Sequence, residues 1–191
     1  MYKVIVLGGG PSGLSAALLL ADLGYQTLVL EDGRTQMGRA YVTNYLGLDE
    51  FEGPQLLEKG RQQVEQRGVE IRSERVTAID EQEDHLLVTT AAGQHRAESI
   101  LLCCGQGPGM ELAKLANVEL VEHDEPFTKL KVAIDERGRT SRKNVYAAGI
   151  CAGTSSQAII AAGHGAQVAL NLISEQAGER VHIHRTIPPK K

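Results

Sequence analysis

Apolar positions along the chain fall into two kinds, short continuous runs and longer stretches that recur every three or four residues. Residues 2–7 form a β-branched run that stops at Gly8-Gly9-Gly10, the pattern of a strand buried on both faces. Residues 11–24 then carry Leu14, Ala17, Leu18 and Ala21 on one helical face, with Gly24 where a C-cap glycine is expected. Residues 27–30 read as a second buried strand. This order predicts a β-α-β unit with parallel strands and a right-handed crossover. A second helix is expected over 53–68, marked by Leu56, Leu57 and Val64, and a short parallel strand over 69–71. The pattern then changes. Runs at 73–80, 86–90 and 96–102 are separated by polar turns, one of them Ala92-Gly93, which predicts an antiparallel meander. A Gly- and Pro-rich break at 105–109 precedes a weak helix over 111–116. A buried strand is expected at 145–148 and a long helix from about 156 to 173. The tail after Gly178 ends in Pro188, Pro189, Lys190 and Lys191 and is expected to fray.

Composition narrows the class. The 191 residues are 42% hydrophobic and 23% charged, so the chain can bury a real core without a disulfide or metal staple. Lys and Arg total 20 against 24 Asp and Glu, which lacks the basic excess of a general nucleic-acid binder. The cysteines are Cys103, Cys104 and Cys151, not a secreted disulfide framework. The longest apolar stretch, 14–21, ends at Asp22 and is far too short to span a bilayer, and no signal-type segment opens the sequence. The expectation is a soluble cytoplasmic protein with neither a nucleic-acid nor a membrane partner.

Gly8, Gly10 and Gly13 satisfy G-x-G-x-x-G between a predicted strand and a predicted helix, the context that this motif requires. Gly8 is assigned the tight turn, Gly10 the close approach of a pyrophosphate to the backbone, and Gly13 the helix–strand packing. The diphosphate would rest on the helix N-terminus, where free N–H groups and the dipole favour negative charge. Glu31 ends the second strand where a carboxylate would bind an adenosine ribose, with Asp32 as its possible substitute. A carboxylate there disfavours a 2′-phosphate, so NADP is not expected, while NAD and FAD both remain open.

Three separated segments carry a family resemblance. Residues 4–17, with Pro11 and Ser12 inside the glycine motif, resemble the FAD-binding start of thioredoxin-reductase-like flavoproteins. Residues 41–57, YVTNYLGLDEFEGPQLL, are similar to the segment that follows the ribose acid in that family. Residues 145–149, followed by Ser156-Gln157-Ala158 and Gly163-His164-Gly165-Ala166, resemble its C-terminal FAD signature. The resemblance implies an α/β fold, a Rossmann-like FAD/NAD(P)-binding domain with a parallel sheet and an inserted antiparallel β-meander. It implies one FAD-binding domain over 1–178 with a C-terminal extension over 179–191, a homodimer, and FAD as cofactor. Carried over position by position, Asn44 stands close to the flavin and Val76 on the strand that meets the adenine. Gly105 is the glycine of the family's Ala-Thr-Gly turn, with Cys103 and Cys104 replacing the Ala and Thr. Gly149 and Ile150 would border the ribityl chain, and Gln157 and Ala158 would begin a helix facing the flavin pyrimidine ring. Such a helix end stabilises the negative charge of reduced flavin and raises its potential.

Departures from the family pattern are equally informative. A full member carries an inserted NADPH domain with a redox-active Cys-x-x-Cys, yet here the sequence passes from Leu102 to the returning segment near Lys131 with neither. Thioredoxin reductase activity in its usual form is therefore not expected. Ile150 stands where the family places the Asp that hydrogen-bonds the ribityl chain. Losing one charge-assisted bond costs about 1.5–3 kcal/mol, or about tenfold to a hundredfold in affinity. No side chain stands out as acid, base, nucleophile or metal ligand. The first reading is an FAD-binding oxidoreductase whose flavin exchanges electrons with a redox partner protein or a small-molecule donor. The alternatives are a non-catalytic nucleotide-binding or assembly module with weak or lost flavin binding, and an NAD-binding domain.

Remaining residues with possible chemistry are given structural expectations. Cys103 and Cys104 read as buried packing cysteines away from the reactive ring, with Cys151 nearer the flavin. His164 reads as helix packing. His182 and His184 alternate with Val181 and Ile183 as one face of a terminal strand or extension. Arg137, Arg139, Arg142 and Lys143 read as a solvated loop.

Overall fold

The computed structural model describes residues 1–125, 128–184 and 186–187. In chain order the elements are β1 (Tyr2–Leu7), α1 (Pro11–Asp22), β2 (Thr27–Glu31), β3 (Tyr41–Val42), β4 (Phe51–Glu52), α2 (Gly53–Glu65) and β5 (Glu70–Ser73). They continue with β6 (Val76–Glu81), β7 (Leu86–Thr90), β8 (Gly93–Leu102), α3 (Met110–Leu115), β9 (Leu120–Glu125), β10 (Thr128–Val132), β11 (Val145–Ala147) and α4 (Ala158–Ala177).

Five strands make a parallel sheet in the order β5-β2-β1-β8-β11. Its side chains divide by strict alternation, the period of two that a strand imposes. Val4, Val6, Val29, Leu101 and Tyr146 pack on one face with Leu14, Ala17 and Leu20 of α1, Leu57 and Val64 of α2, and Val168 and Leu172 of α4. Ile5, Leu7, Leu28, Leu30, Ile100, Leu102 and Val145 pack on the other with the meander, α3 and Val132 of β10. Val4 to Leu7 are wholly buried, so the continuous apolar run of β1 is the signature of a strand covered on both faces.

β8 belongs to two systems at once. Its first half pairs antiparallel with β7, from Thr90↔Gly93 to Leu86↔Ala97. Its second half pairs parallel with β1, from Tyr2↔Ala97 to Leu7↔Leu102, and with β11 on its other side. The strand order changes direction between β1 and β8, and the crevice beyond the carboxyl ends of strands at such a switch point is where open α/β sheets bind ligands.

α1 and α4 cross at backbone distance. A Cβ at Gly165 would collide with the Ser12 carbonyl oxygen, so only glycine permits this crossing. The face that α1 buries is Leu14, Ala16, Ala17 and Leu20, shifted from the expected one, with Leu18 and Ala21 half-buried. α4 begins at Ala158, later than expected, and runs on to Ala177 before Gly178 ends it at φ 72°.

Other expectations need correction. The β9–β10 hairpin lies in a stretch whose pattern predicted nothing, because β9 carries no alternating apolar face. Residues 181–184 form no strand; instead the Val181 N–H donates to Ser174 Oγ at 3.1 Å and the Val181 side chain packs against the core. Residue 185 and residues 188–191, part of the tail expected to fray, lie outside the described residues. The basic cluster is not simply solvated. Arg142 reaches the Ala116 carbonyl at 2.8 Å and the Ile79 carbonyl at 3.4 Å, and Arg139 pairs with Glu175 at 3.0 Å. Among the described residues no helix is long and apolar enough to cross a membrane.

Candidate functional site

A cavity of about 1010 Å³ opens where β1, β2, β8 and β11 end. Gly8 sits at φ 121°, a conformation that favours glycine, and a Cβ there would strike the Cys103 carbonyl oxygen. At Gly13 a Cβ would collide with the Gly8 carbonyl oxygen, so α1 lies directly on the turn that precedes it. Gly10 is different, since the nearest atom to a Cβ there is Thr35 Oγ1 at 3.5 Å, and its backbone faces open space on the cavity. Gly10 is also the N-cap of α1 and no side chain caps that helix. The first-turn N–H groups are thus left for whatever enters the cavity.

A second helix end reaches the same space. The N-cap of α4 is Gln157, again without a side-chain cap, and Gln157 and Ala158 line the cavity. Gln157 Oε1 accepts from Asn44 Nδ2 at 2.9 Å, which ties the loop between β3 and β4 to the start of α4.

Residues 46–165, more than half of the chain, match the pyridine nucleotide-disulphide oxidoreductase family. The chain belongs to that family. Residues 6–64 also match the NAD(P)-binding Rossmann-like domain. Thioredoxin reductases of Rickettsia felis and Streptomyces clavuligerus are each 36% identical over 109 residues. Those matches cover 54% of this chain and 35% and 34% of the respective relatives, so the chain spans about a third of their length. The same fold is found in a thioredoxin reductase from Gloeobacter violaceus, with TM-score 0.77 at 16% identity over 97% of this chain and 99% of that one. An oxidoreductase from Agrobacterium tumefaciens shares it too, with TM-score 0.78 at 15% identity over 93% and 99% of the two chains.

In this pyridine nucleotide-disulphide oxidoreductase fold, most of the residues singled out from sequence converge. Gly8, Gly10, Pro11, Ser12, Glu31, Asp32, Asn44, Val76, Gly105, Ile150, Gln157 and Ala158 all line the cavity. Gly13 and Gly149 do not. They lie behind it as packing points, Gly13 under the glycine turn and Gly149 against the Ser12 side chain.

Several site residues were not legible in the sequence. Arg61 of α2 clamps Glu31, with Nη2 at 2.9 Å from both carboxylate oxygens and Nε at 3.1 Å from one. Its signal was a charge on the same helical face as Leu57 and Val64, a place where a lone arginine implies a partner. Gly9 occupies a variable position of the motif, yet a Cβ there would strike the Glu31 carboxylate, which rests on the bare backbone. Asp32 is paired with Arg34, whose hydrogen bond holds the Asp32 carboxyl below the usual carboxylate range. Arg34 and Arg75 line the cavity at that end.

His164 has a defined structural task, which accords with the packing expectation. Its Nδ1 accepts from the Gly149 N–H at 3.0 Å and so fixes the turn after β11. Burial pushes its pKa below the ordinary value of 6.5, because the site disfavours the charged ring and a protonated Nδ1 cannot accept. In the unfolded chain the ring binds its proton at higher pH than in the native state. The neutral form therefore contributes stability above pH 6.5 that is lost as pH falls through and below that value. Urea midpoints measured between pH 8 and about pH 5 should decline on the acid side, and His164→Gln should flatten that decline. An equal decline in the variant would assign the effect to other groups.

Proposed function

We propose that this chain binds FAD in the cavity and acts as an oxidoreductase whose flavin exchanges electrons with a separate donor and acceptor. The observation that carries the reading is the opening of two uncapped helix N-termini, those of α1 and α4, onto one cavity of about 1010 Å³. That volume is at the top of the range for small-molecule sites, as an extended dinucleotide requires. The residues present suit the cofactor. The bare backbone from Gly8 to Gly10 and the α1 end would hold the diphosphate, and Glu31, kept in place by Arg61, would accept ribose hydroxyls. Val76 and Gly105 would border the adenosine, and Asn44, Gln157 and Ala158 the ring.

When bound, flavin supplies one- and two-electron transfer, and the protein supplies position and electrostatics. The α4 N-terminus would favour negative charge at the pyrimidine edge, and the apolar Ile150 would keep water from the ribityl side of the cavity. The electron partner would be a protein, a quinone or thiol, or a free reduced nicotinamide. The same reading takes residues 1–178 as one FAD-binding domain and the working unit as a homodimer. The exposed apolar side chains Tyr41, Leu46, Leu48 and Ile160 support association.

The test is the visible absorbance spectrum of the purified protein, followed by chromatography of what heat releases. Flavin bands and released FAD are expected, with bleaching by a suitable donor. A colourless protein that also refuses added FAD would overturn the reading. Ile150 favours one second reading, a dinucleotide-binding module without turnover, which bound but unreducible nucleotide would support.

A further inference from the structure

A recess of about 430 Å³ adjoins the cavity at its Glu31 end, lined by Asp32, Arg34, Ser73 and Arg75. Asp32, Arg34 and Arg75 line the cavity as well, so the two spaces run into each other. The sheet explains the placement. β2 and β5 pair in parallel with Glu31 beside Ser73, so both strands end at one level, and the loops that follow them supply Asp32, Arg34 and Arg75.

The carboxylates at this end are already paired. Arg61 holds Glu31 through Nε and Nη2, and Arg34 holds Asp32 through its own Nε and Nη2. Glu74, the remaining acid beside the recess, accepts from Thr90 Oγ1 at 2.7 Å and meets His95 Nε2 at 2.8 Å. Among the described residues Arg75 makes no hydrogen bond or ion pair, and neither does the Ser73 hydroxyl. A carboxylate at the end of β2 repels a phosphate on the ribose when its charge is free. Pairing with Arg61 and Arg34 weakens that repulsion and leaves Arg75 as uncompensated positive charge, with a guanidinium fork suited to phosphate oxygens.

We propose that the recess is a phosphate subsite, and that the cavity takes adenine nucleotides bearing a phosphate monoester on the ribose, at the 2′ or the 3′ oxygen, in competition with FAD. The inference rests on the placing of adenosine at the Glu31 end in the FAD reading. FAD carries no phosphate on its ribose and gains nothing from the recess, while Ile150 offers no bond to its ribityl chain. A phosphorylated ribose keeps one hydroxyl for Glu31 and directs its phosphate to Arg75, Ser73 and the outward side of Arg34. The Arg34 side chain is 55% exposed, so the gain sits at the lower end for a bond to a charged group, about tenfold in affinity, and shrinks with added salt.

The experiment titrates the full chain, dialysed free of any flavin, with AMP, adenosine 2′,5′-bisphosphate and adenosine 3′,5′-bisphosphate by calorimetry. One bisphosphate is expected to bind about tenfold more tightly than AMP at low salt, and the better isomer tells which oxygen carries the phosphate. In Arg75→Gln the ratio of the two affinities should fall close to one. Arg96→Gln should keep it, because Arg96 is exposed on β8 opposite Leu87 and outside the cavity lining. Saturating FAD should suppress the binding. AMP bound with no gain from either bisphosphate, a gain that survives in Arg75→Gln, or binding undiminished by FAD would overturn this inference alone. Failure of AMP and both bisphosphates to bind would overturn it together with the nucleotide reading of the cavity.

Discussion

Gly13→Ala is expected to abolish dinucleotide binding and to lower stability by about 3 kcal/mol, the upper end of the usual cost of overpacking a close contact. The added methyl would meet the Gly8 carbonyl oxygen, and Val6 Cγ1 would lie 3.2 Å away on the strand beneath. Neither neighbour is the end of a flexible side chain, since one is backbone and the other belongs to a wholly buried valine of β1. Relief requires α1 to move off the turn. That displaces its uncapped N-terminus from the cavity and strains the crossing at which Ser12 meets Gly165. Urea denaturation and a titration with FAD would read the two effects separately. Gly10→Ala provides the contrast, because its methyl would enter open space with Thr35 Oγ1 at 3.5 Å as the nearest atom. Gly10→Ala should weaken binding with little change in stability. If Gly13→Ala kept its urea midpoint and its affinity, the packing role assigned to Gly13 would be wrong.

Ile150→Asp should tighten FAD binding by about tenfold to a hundredfold, which corresponds to the roughly 1.5–3 kcal/mol of one hydrogen bond to a charged group. Ile150 is half-buried on the cavity wall and opens a short turn, Ile150–Ala152, after Gly149 at φ 78°. A carboxylate there would face the cavity and could accept from a hydroxyl of the bound chain. The increase would appear as a lower Kd in a flavin fluorescence titration. Unchanged affinity would mean that no ribityl hydroxyl passes this wall, and would favour a nucleotide without flavin.

Much of the fold was legible because it depends on residues close together in the chain. The continuous run of β1, the glycine motif and Glu31 at the end of β2 are encoded within some thirty residues, and the structure reproduces their order and their parallel register. The meander was readable for the same reason, since each of its antiparallel strands follows the last after a short turn. The β9–β10 hairpin was not, because the apolar residues of β9, Leu120 and Val121, are adjacent and only polar ones follow, so the strand carries no alternating apolar face. The candidate site followed the same division. Gly8, Gly10 and Glu31 announced themselves, while Gly9 did so only once the Glu31 carboxylate was seen to lie on it.

What the chain order could not convey is which distant groups meet. Arg61 and Glu31 are 30 residues apart, and Asn44 and Gln157 are 113 apart, so neither pairing leaves a local period to read. The double role of β8 has the same origin. A strand pattern states that its residues alternate, but the choice between an antiparallel neighbour and a parallel one is made only when β1 and β11 close around its second half. Cys103-Cys104 and Cys151 leave the sheet at the same end for that reason, since β8 pairs with β11 in register. Local periodicity follows from the geometry of a single helix or strand, and it names the elements and the glycine-rich turn. Contacts between elements follow from burying all of their apolar faces together, and only that packing decided what surrounds the cavity.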